Sequence, residues 1–234
     1  MENNKLKKQT VFVGDYSLED VEIIPRRFNN EIKTLSTLPT NPLVYILENN
    51  LEEDFCKEII ERFDKDIRKE KGRVFNNKII LNVKNTLDLN ITRLPDWNDI
   101  DKKLFYVLLE NIKKYEKILE KHNYVIPESL ISQGFQIQKY NKGVGEYKWH
   151  TDDLVANLEL PNHSTQQMSR FITFIWYLND VEVGGETKFL DGMVKPKTGQ
   201  FLFFPATWDQ LHRGGLPESD NKYIITGWLY SNVK

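Results

Sequence analysis

The stretch "RFITFIWYLND", residues 170–180, decides how the chain folds. Side chains of an extended segment alternate between two faces. Phe171, Thr173, Ile175 and Tyr177 therefore fall on one side, and Ile172, Phe174, Trp176 and Leu178 on the other. The first side also receives two hydroxyls, from Thr173 and Tyr177. Similar short runs recur after Pro127 in "QGFQIQKY", "TKFL", "GQFLFFPA" and "YIITGWLYSNV", separated by clusters of Gly, Pro, Asn and Asp. Closely spaced strands with no helices between them predict an antiparallel sandwich or jelly roll.

Upstream the period changes. The stretch 43–67, "LVYILENNLEEDFCKEIIERFDKDI", predicts a helix, with Leu51, Phe55, Ile59, Ile60 and Phe63 at helical spacing. Glu52, Glu53 and Asp54 sit in its first turn, where the macrodipole favours acids. A second amphipathic helix is predicted over 96–124, with Ile100, Leu104, Val107, Leu108, Ile112, Tyr115 and Leu119 along one side and His122 at its C-terminal end. Both stripes read as core packing. Between them, residues 73–94 hold strand-like runs broken by asparagines, with Asn76–Asn77 as a hairpin turn. The expected organisation is a single α+β domain. It has an N-terminal arm over 1–40, mostly helical support over 41–128 that covers one face of the sheet, and a β core over 129–234.

A chain of 234 residues has room for one substantial core. Its 32 Lys+Arg against 34 Asp+Glu leave a net charge of −2, too balanced to draw it to nucleic acid or to an anionic membrane. The one cysteine, Cys56, rules out an internal disulfide framework and suits a reducing compartment. The start "MENNKLKKQT" has no apolar run behind it, and no stretch approaches the roughly 20 apolar residues of a membrane span. A soluble, intracellular, cytoplasmic protein is expected.

Few histidines are available for chemistry. His163 lies in the polar stretch "LELPNHSTQQ", which reads as an exposed loop. In "YKWHTDDLV", residues 147–155, His150 and Asp152 stand two apart and project together if the segment is extended, while Thr151 and Asp153 face away. His212 follows the strand "GQFLFFP" and can supply a third ligand. Two imidazoles and a carboxylate on one face of an octahedral ion form the arrangement of non-haem Fe(II) oxygenases. On its own the pattern is weak, and ordinary surface or core roles account for it more readily. Its company is informative. Lys222 opens the strand "KYIITGWLY" on the same face as Ile224, Thr226 and Trp228, and a buried ammonium there needs an anionic partner that the strand does not contain. Gln136, Gln138 and Tyr140 share a side of "FQIQKY", which suits a polar-lined interior around a polar ligand.

From about Ser132 to Lys234 the chain resembles the Fe(II)- and 2-oxoglutarate-dependent dioxygenases of the prolyl 4-hydroxylase-like group, whose core is a double-stranded β-helix. The blocks that carry the resemblance are Y-x9-H-x-D, R-x-x-T-x-x-x-Y-L-N, GGET-x-F, KPKTGQFLFF and H-x9-K-Y-x4-W, in that order. The resemblance implies Fe(II) ligation by His150, Asp152 and His212. It implies a Lys222 partner for the distal carboxylate of 2-oxoglutarate, Tyr177 as a hydrogen-bonding helper, and Tyr140 near the cosubstrate. Thr173 joins these cofactor-binding positions, and Gln138, Arg170 and Trp228 would shape the pocket. "GGET", residues 184–187, matches a turn whose glycines permit backbone angles closed to other residues. The implied reaction is hydroxylation with O2, releasing succinate and CO2, with ascorbate as a reductant. Asp152 favours hydroxylation, since a related halide-transferring group lacks this carboxylate. The favoured substrate is a peptidyl side chain. The alternatives are a free amino acid or other small molecule and, from another class, a non-catalytic jelly-roll binding module.

Overall fold

A computed structural model describes residues 37–74, 77–125, 127, 129–159 and 164–232. Two sheets carry it. The larger runs β1 (Tyr45–Leu47), β12 (Phe201–Pro205), β9 (Thr165–Tyr177), β14 (Lys222–Asn232), β6 (Gln136–Tyr140), β4 (Leu87–Asn90) and β2 (Glu70–Lys71). Beside this path β5 (Ile131–Ser132) pairs with β14, and β8 (Val155–Glu159) pairs with β9. The smaller sheet runs β11 (Met193–Val194), β10 (Thr187–Phe189), β13 (His212–Gly214), β7 (Glu146–His150) and β3 (Lys84–Asn85). Among the described residues all strand pairings are antiparallel, and the fold is a jelly roll, a double-stranded β-helix.

The alternation in 170–180 sorts the core into two layers. Ile172, Phe174, Trp176 and Leu178 pack on helix α1 (Glu53–Lys65) and helix α2 (Asn98–Lys121), through Phe55, Ile59, Phe63, Leu104, Leu108 and Tyr115. Ile175 and Tyr177 turn inward, against Tyr140, Phe189, Leu202, Phe204 and Ile224 between the sheets. Cys56 lies wholly inside the helix layer, and burial pushes its thiol up to about 11. The buried Asn111 of α2 exchanges two hydrogen bonds with Asn50, which also accepts from Trp176 Nε1.

The N-terminal half departs from its reading in two ways. Residues 45–47, expected within a helix, form β1 and pair with Phe201–Phe203. Asn49, with φ of 52°, turns the chain so that α1 starts only at Glu53. The 41–128 segment, expected to be mostly helical, also supplies β1, β2, β3 and β4, whose backbones pair with β12, β4, β7 and β6. At the anticipated hairpin, Val74 bridges Lys78 and Asn77 has φ of 59°; Asn76 lies outside the described residues. The arm over 1–40 is described only from residue 37, and His163 is also outside. Among the described residues, no helix is long and apolar enough to cross a membrane.

Phe174 is fully buried and touches Phe135, Trp176 and Phe203. Phe174→Ala is expected to lower the unfolding free energy by about 3–5 kcal/mol in urea titrations, through lost transfer energy and the cavity left behind.

Candidate metal centre

Cross-strand register builds the centre. His212, first residue of β13, stands opposite His150, last residue of β7, and their ring centroids are 4.2 Å apart. Each ring is tied back at Nδ1 to a carbonyl two residues earlier, Lys148 O for His150 (2.7 Å) and Gln210 O for His212 (3.0 Å). Donation to a carbonyl places the proton on Nδ1 and leaves the Nε2 lone pair free. Both Nε2 atoms face the buried Asp152, at 3.8 Å from Oδ1 for His150 and 3.6 Å from Oδ2 for His212. The three ligand atoms lie within 4.8 Å of one another. Asp153 points to solvent.

Electrostatics suit the same use. Burial, reinforced by the neighbouring His212, lowers His150 to about 3, so its imidazole is neutral at physiological pH. Burial works against the charge of Asp152, but His212, His150 and the Arg170 guanidinium outweigh it and hold the carboxyl below the usual range. Thr173 Oγ1 donates to Asp152 Oδ2 (2.7 Å), and Arg170 Nη1 reaches the Asp152 carbonyl (3.4 Å). Two imidazoles tied back at Nδ1 and one oriented carboxylate form a donor set that fits Fe(II).

Behind the three ligands lies a polar chamber between the sheets. Lys222 is 1% exposed; its Nζ donates to Gly185 O (2.9 Å) and lies 4.0 Å from the centre of the Tyr140 ring. Gly184 and Gly185 both have φ of 75°, and this bend aims the Gly185 carbonyl at Lys222. Tyr140 Oη donates to Gln138 Oε1 (3.1 Å), and Tyr177 Oη donates to Thr187 Oγ1 across the sheets (2.7 Å). Trp228 pairs with Thr173 across β14 and β9, under the Arg170 guanidinium at 3.7 Å. Thr173, Arg170 and Trp228 thus gather around Asp152, and Tyr140 and Gln138 stand beside Lys222.

Two β-bulges bring in side chains that plain alternation sends elsewhere. On β9, Ile172 faces Leu229 while Arg170 faces Tyr230, so Phe171 is the extra residue and Arg170 turns to the side of Thr173. Arg170 Nε then meets Tyr230 Oη at 3.1 Å. On β7, His150 faces His212 while Tyr147 faces Gly214, which puts Tyr147 beside His150 although they are three apart. Their rings stack at 3.5 Å. Sequence reasoning missed Tyr147 for this reason. It also missed Lys84 and Asp88, a buried ion pair (2.7 Å) joining β3 to β4, with Thr86 on the other carboxylate oxygen (2.7 Å). Two opposite charges four residues apart beside "TLDLN" were the available signal.

Residues 135–230 match the model of the 2OG-Fe(II) oxygenase superfamily. No curated protein matches the sequence. Among solved structures, the chain is similar to the viral collagen prolyl hydroxylase of Paramecium Bursaria Chlorella virus-1, solved as a 2OG complex. That match has 19% identity and a TM-score of 0.57 over 82% of this chain and 97% of that one. It is similar to a Pseudomonas putida prolyl-4-hydroxylase, at 15% identity and TM-score 0.55 over 81% and 93%. A third similar structure is a Trichoplax adhaerens prolyl hydroxylase in complex with a hypoxia inducible factor peptide fragment, at 17% identity and TM-score 0.62 over 81% and 84%.

Asp88→Ala leaves the Lys84 ammonium buried and unpaired, and is expected to cost about 3–5 kcal/mol. The double change Lys84→Met with Asp88→Leu is expected to recover most of that loss, as denaturant titration of the three proteins will show.

Proposed function

We propose that this chain, which carries a 2OG-Fe(II) oxygenase domain over residues 135–230, hydroxylates a C–H bond of a peptidyl substrate, with a prolyl side chain favoured. The domain is a 2-oxoglutarate-dependent dioxygenase whose cofactors are Fe(II), 2-oxoglutarate and O2. The observation that carries the reading is the pair of tied-back imidazoles whose Nε2 atoms converge on Asp152 at the mouth of a chamber ending in Lys222.

His150, Asp152 and His212 would hold the metal, which when bound couples O2 to oxidative decarboxylation of 2-oxoglutarate, giving succinate, CO2 and a hydroxylated product. The rest is supplied by the chain. Lys222 takes the distal carboxylate of 2-oxoglutarate in a charge-assisted bond. Tyr140 and Tyr177 flank it, and burial raises both phenols so that they stay protonated donors. Thr173 and Arg170 hold Asp152 in one orientation, and Trp228 and Tyr147 wall the space beside the ligands with aromatic faces.

A peptide fits the chain's own surface. Ile79, Ile80 and Leu81 are consecutive, apolar and exposed (47%, 37% and 48%), just before the strand that pairs with β7. Trp208, four residues before His212, is 75% exposed. Apolar runs left in water beside a site mark a surface that meets another molecule. The prolyl hydroxylases with this fold, one of them holding a peptide, favour proline among side chains.

An anaerobic absorption titration with Fe(II) and 2-oxoglutarate tests the reading. A charge-transfer band that requires both additions, and disappears in His150→Ala and His212→Ala, is expected; a folded parent protein without the band overturns it. Lys222→Ala is expected to raise the 2-oxoglutarate requirement roughly 10- to 150-fold, the worth of one charge-assisted hydrogen bond. Mass spectrometry of proline-containing peptides then identifies the substrate by a gain of one oxygen.

A further inference from the structure

We propose that 2-oxoglutarate enters this site together with a proton, which Lys222 takes from solvent to become the ammonium that holds the distal carboxylate. The inference rests on reading the chamber as a 2-oxoglutarate pocket, and concerns how that pocket is charged.

The geometry around Nζ supports it. Lys222 is among the largest fully buried side chains, yet among the described residues no carboxylate lies within ion-pair distance of it. Its one hydrogen-bond acceptor is the neutral carbonyl of Gly185. The groups that face it come from four elements. Tyr140 of β6 presents its ring; its hydroxyl is bonded to Gln138. Tyr177 of β9 spends its hydroxyl on Thr187. Glu186, in the turn before β10, attracts a proton to Lys222, but its carboxylate lies beside Lys188 at 3.6 Å. Arg213 of β13 repels one, and is itself placed 3.7 Å from Glu146.

An ammonium without a counter-ion in such a setting gives up its proton. Burial accordingly lowers Lys222 to about 7, with Glu186 raising it and Arg213 lowering it further. A carboxylate arriving at Nζ supplies the missing charge and restores an ordinary lysine. One N–H bond forms on Nζ as the donor's bond to hydrogen in water or a buffer acid breaks, and the conjugate base stays in solvent. The protonated form binds, so affinity is greatest below the midpoint of the free lysine. Above it the dissociation constant rises about tenfold per pH unit.

Calorimetric titration of the Fe(II)-loaded protein with 2-oxoglutarate, anaerobically and in two buffers of different ionisation enthalpy, counts the protons. Uptake approaching one proton per ligand at pH 8.5 and falling toward zero at pH 6 is expected. In Lys222→Arg, whose guanidinium keeps its charge, both uptake and pH slope should vanish. Binding with no uptake at any pH overturns the inference. A second measurement does not depend on turnover or on ligand affinity. In Zn(II)-loaded protein labelled with [ε-13C]lysine, the resonance missing from Lys222→Arg should titrate near pH 7 without 2-oxoglutarate. A midpoint above 8.5 refutes the proposal. Absence of 2-oxoglutarate binding refutes the functional reading instead, and the lysine titration still decides the charge of Lys222.

Discussion

The opposition of His212 and His150 across β13 and β7 is the constraint on which the centre depends. Neither histidine is close to the other in sequence, and neither strand is long. A shift of one residue in this pairing would put the two rings on opposite faces of the sheet. The register is held by features that look incidental. β13 is clamped between β10 and β7, Gly214 leaves space for the Tyr140 ring, and the bulge on β7 absorbs an extra residue without moving His150. Both imidazoles then reach back to the carbonyl two residues before them, so backbone position alone selects the tautomer.

Polar groups in the interior are tolerated because the chamber is closed at two margins by bonds between the sheets. Tyr177 joins Thr187 on one side, and Lys84 joins Asp88 on the other, at the corner where the chain passes from β3 to β4. Between them runs a single rung of inward side chains: Tyr177, Ile224, Gln138 and Asp88. Buried ion pairs stabilise little against well-packed apolar residues of similar volume. Their presence here follows from enclosing a polar ligand in a core that would otherwise be hydrocarbon.

Much of this was legible from residue order. The period-two runs after Pro127 marked the strands, and the spacing of His150 and Asp152 placed two ligand atoms on one side. The glycine pair at 184–185 announced its unusual turn. Three things were hidden. β1 reads as helix because "VYIL" continues an apolar stripe, and only the open edge of β12 makes it a strand. Arg170 and Tyr147 sit where bulges invert parity, and a bulge has no residue signature when neither member is glycine. The Lys84–Asp88 pair looks like solvated charge until the fold supplies the walls around it. In each case the missing information was tertiary: which edge was open, and which face was covered.

The strands contributed before residue 91 bear on where this protein can be divided. β1 closes β12, β4 closes β6, and β3 closes β7. Cut away at the start of the family-matched segment, the remaining chain would present three bare edges, each with a row of unpaired amides and carbonyls, and that of β12, "FLFFP", would carry no charge to deter a neighbour. Such a fragment is a template for intermolecular strand pairing. The smallest unit that stays in solution as single molecules therefore begins well upstream of the residues that hold the chemistry.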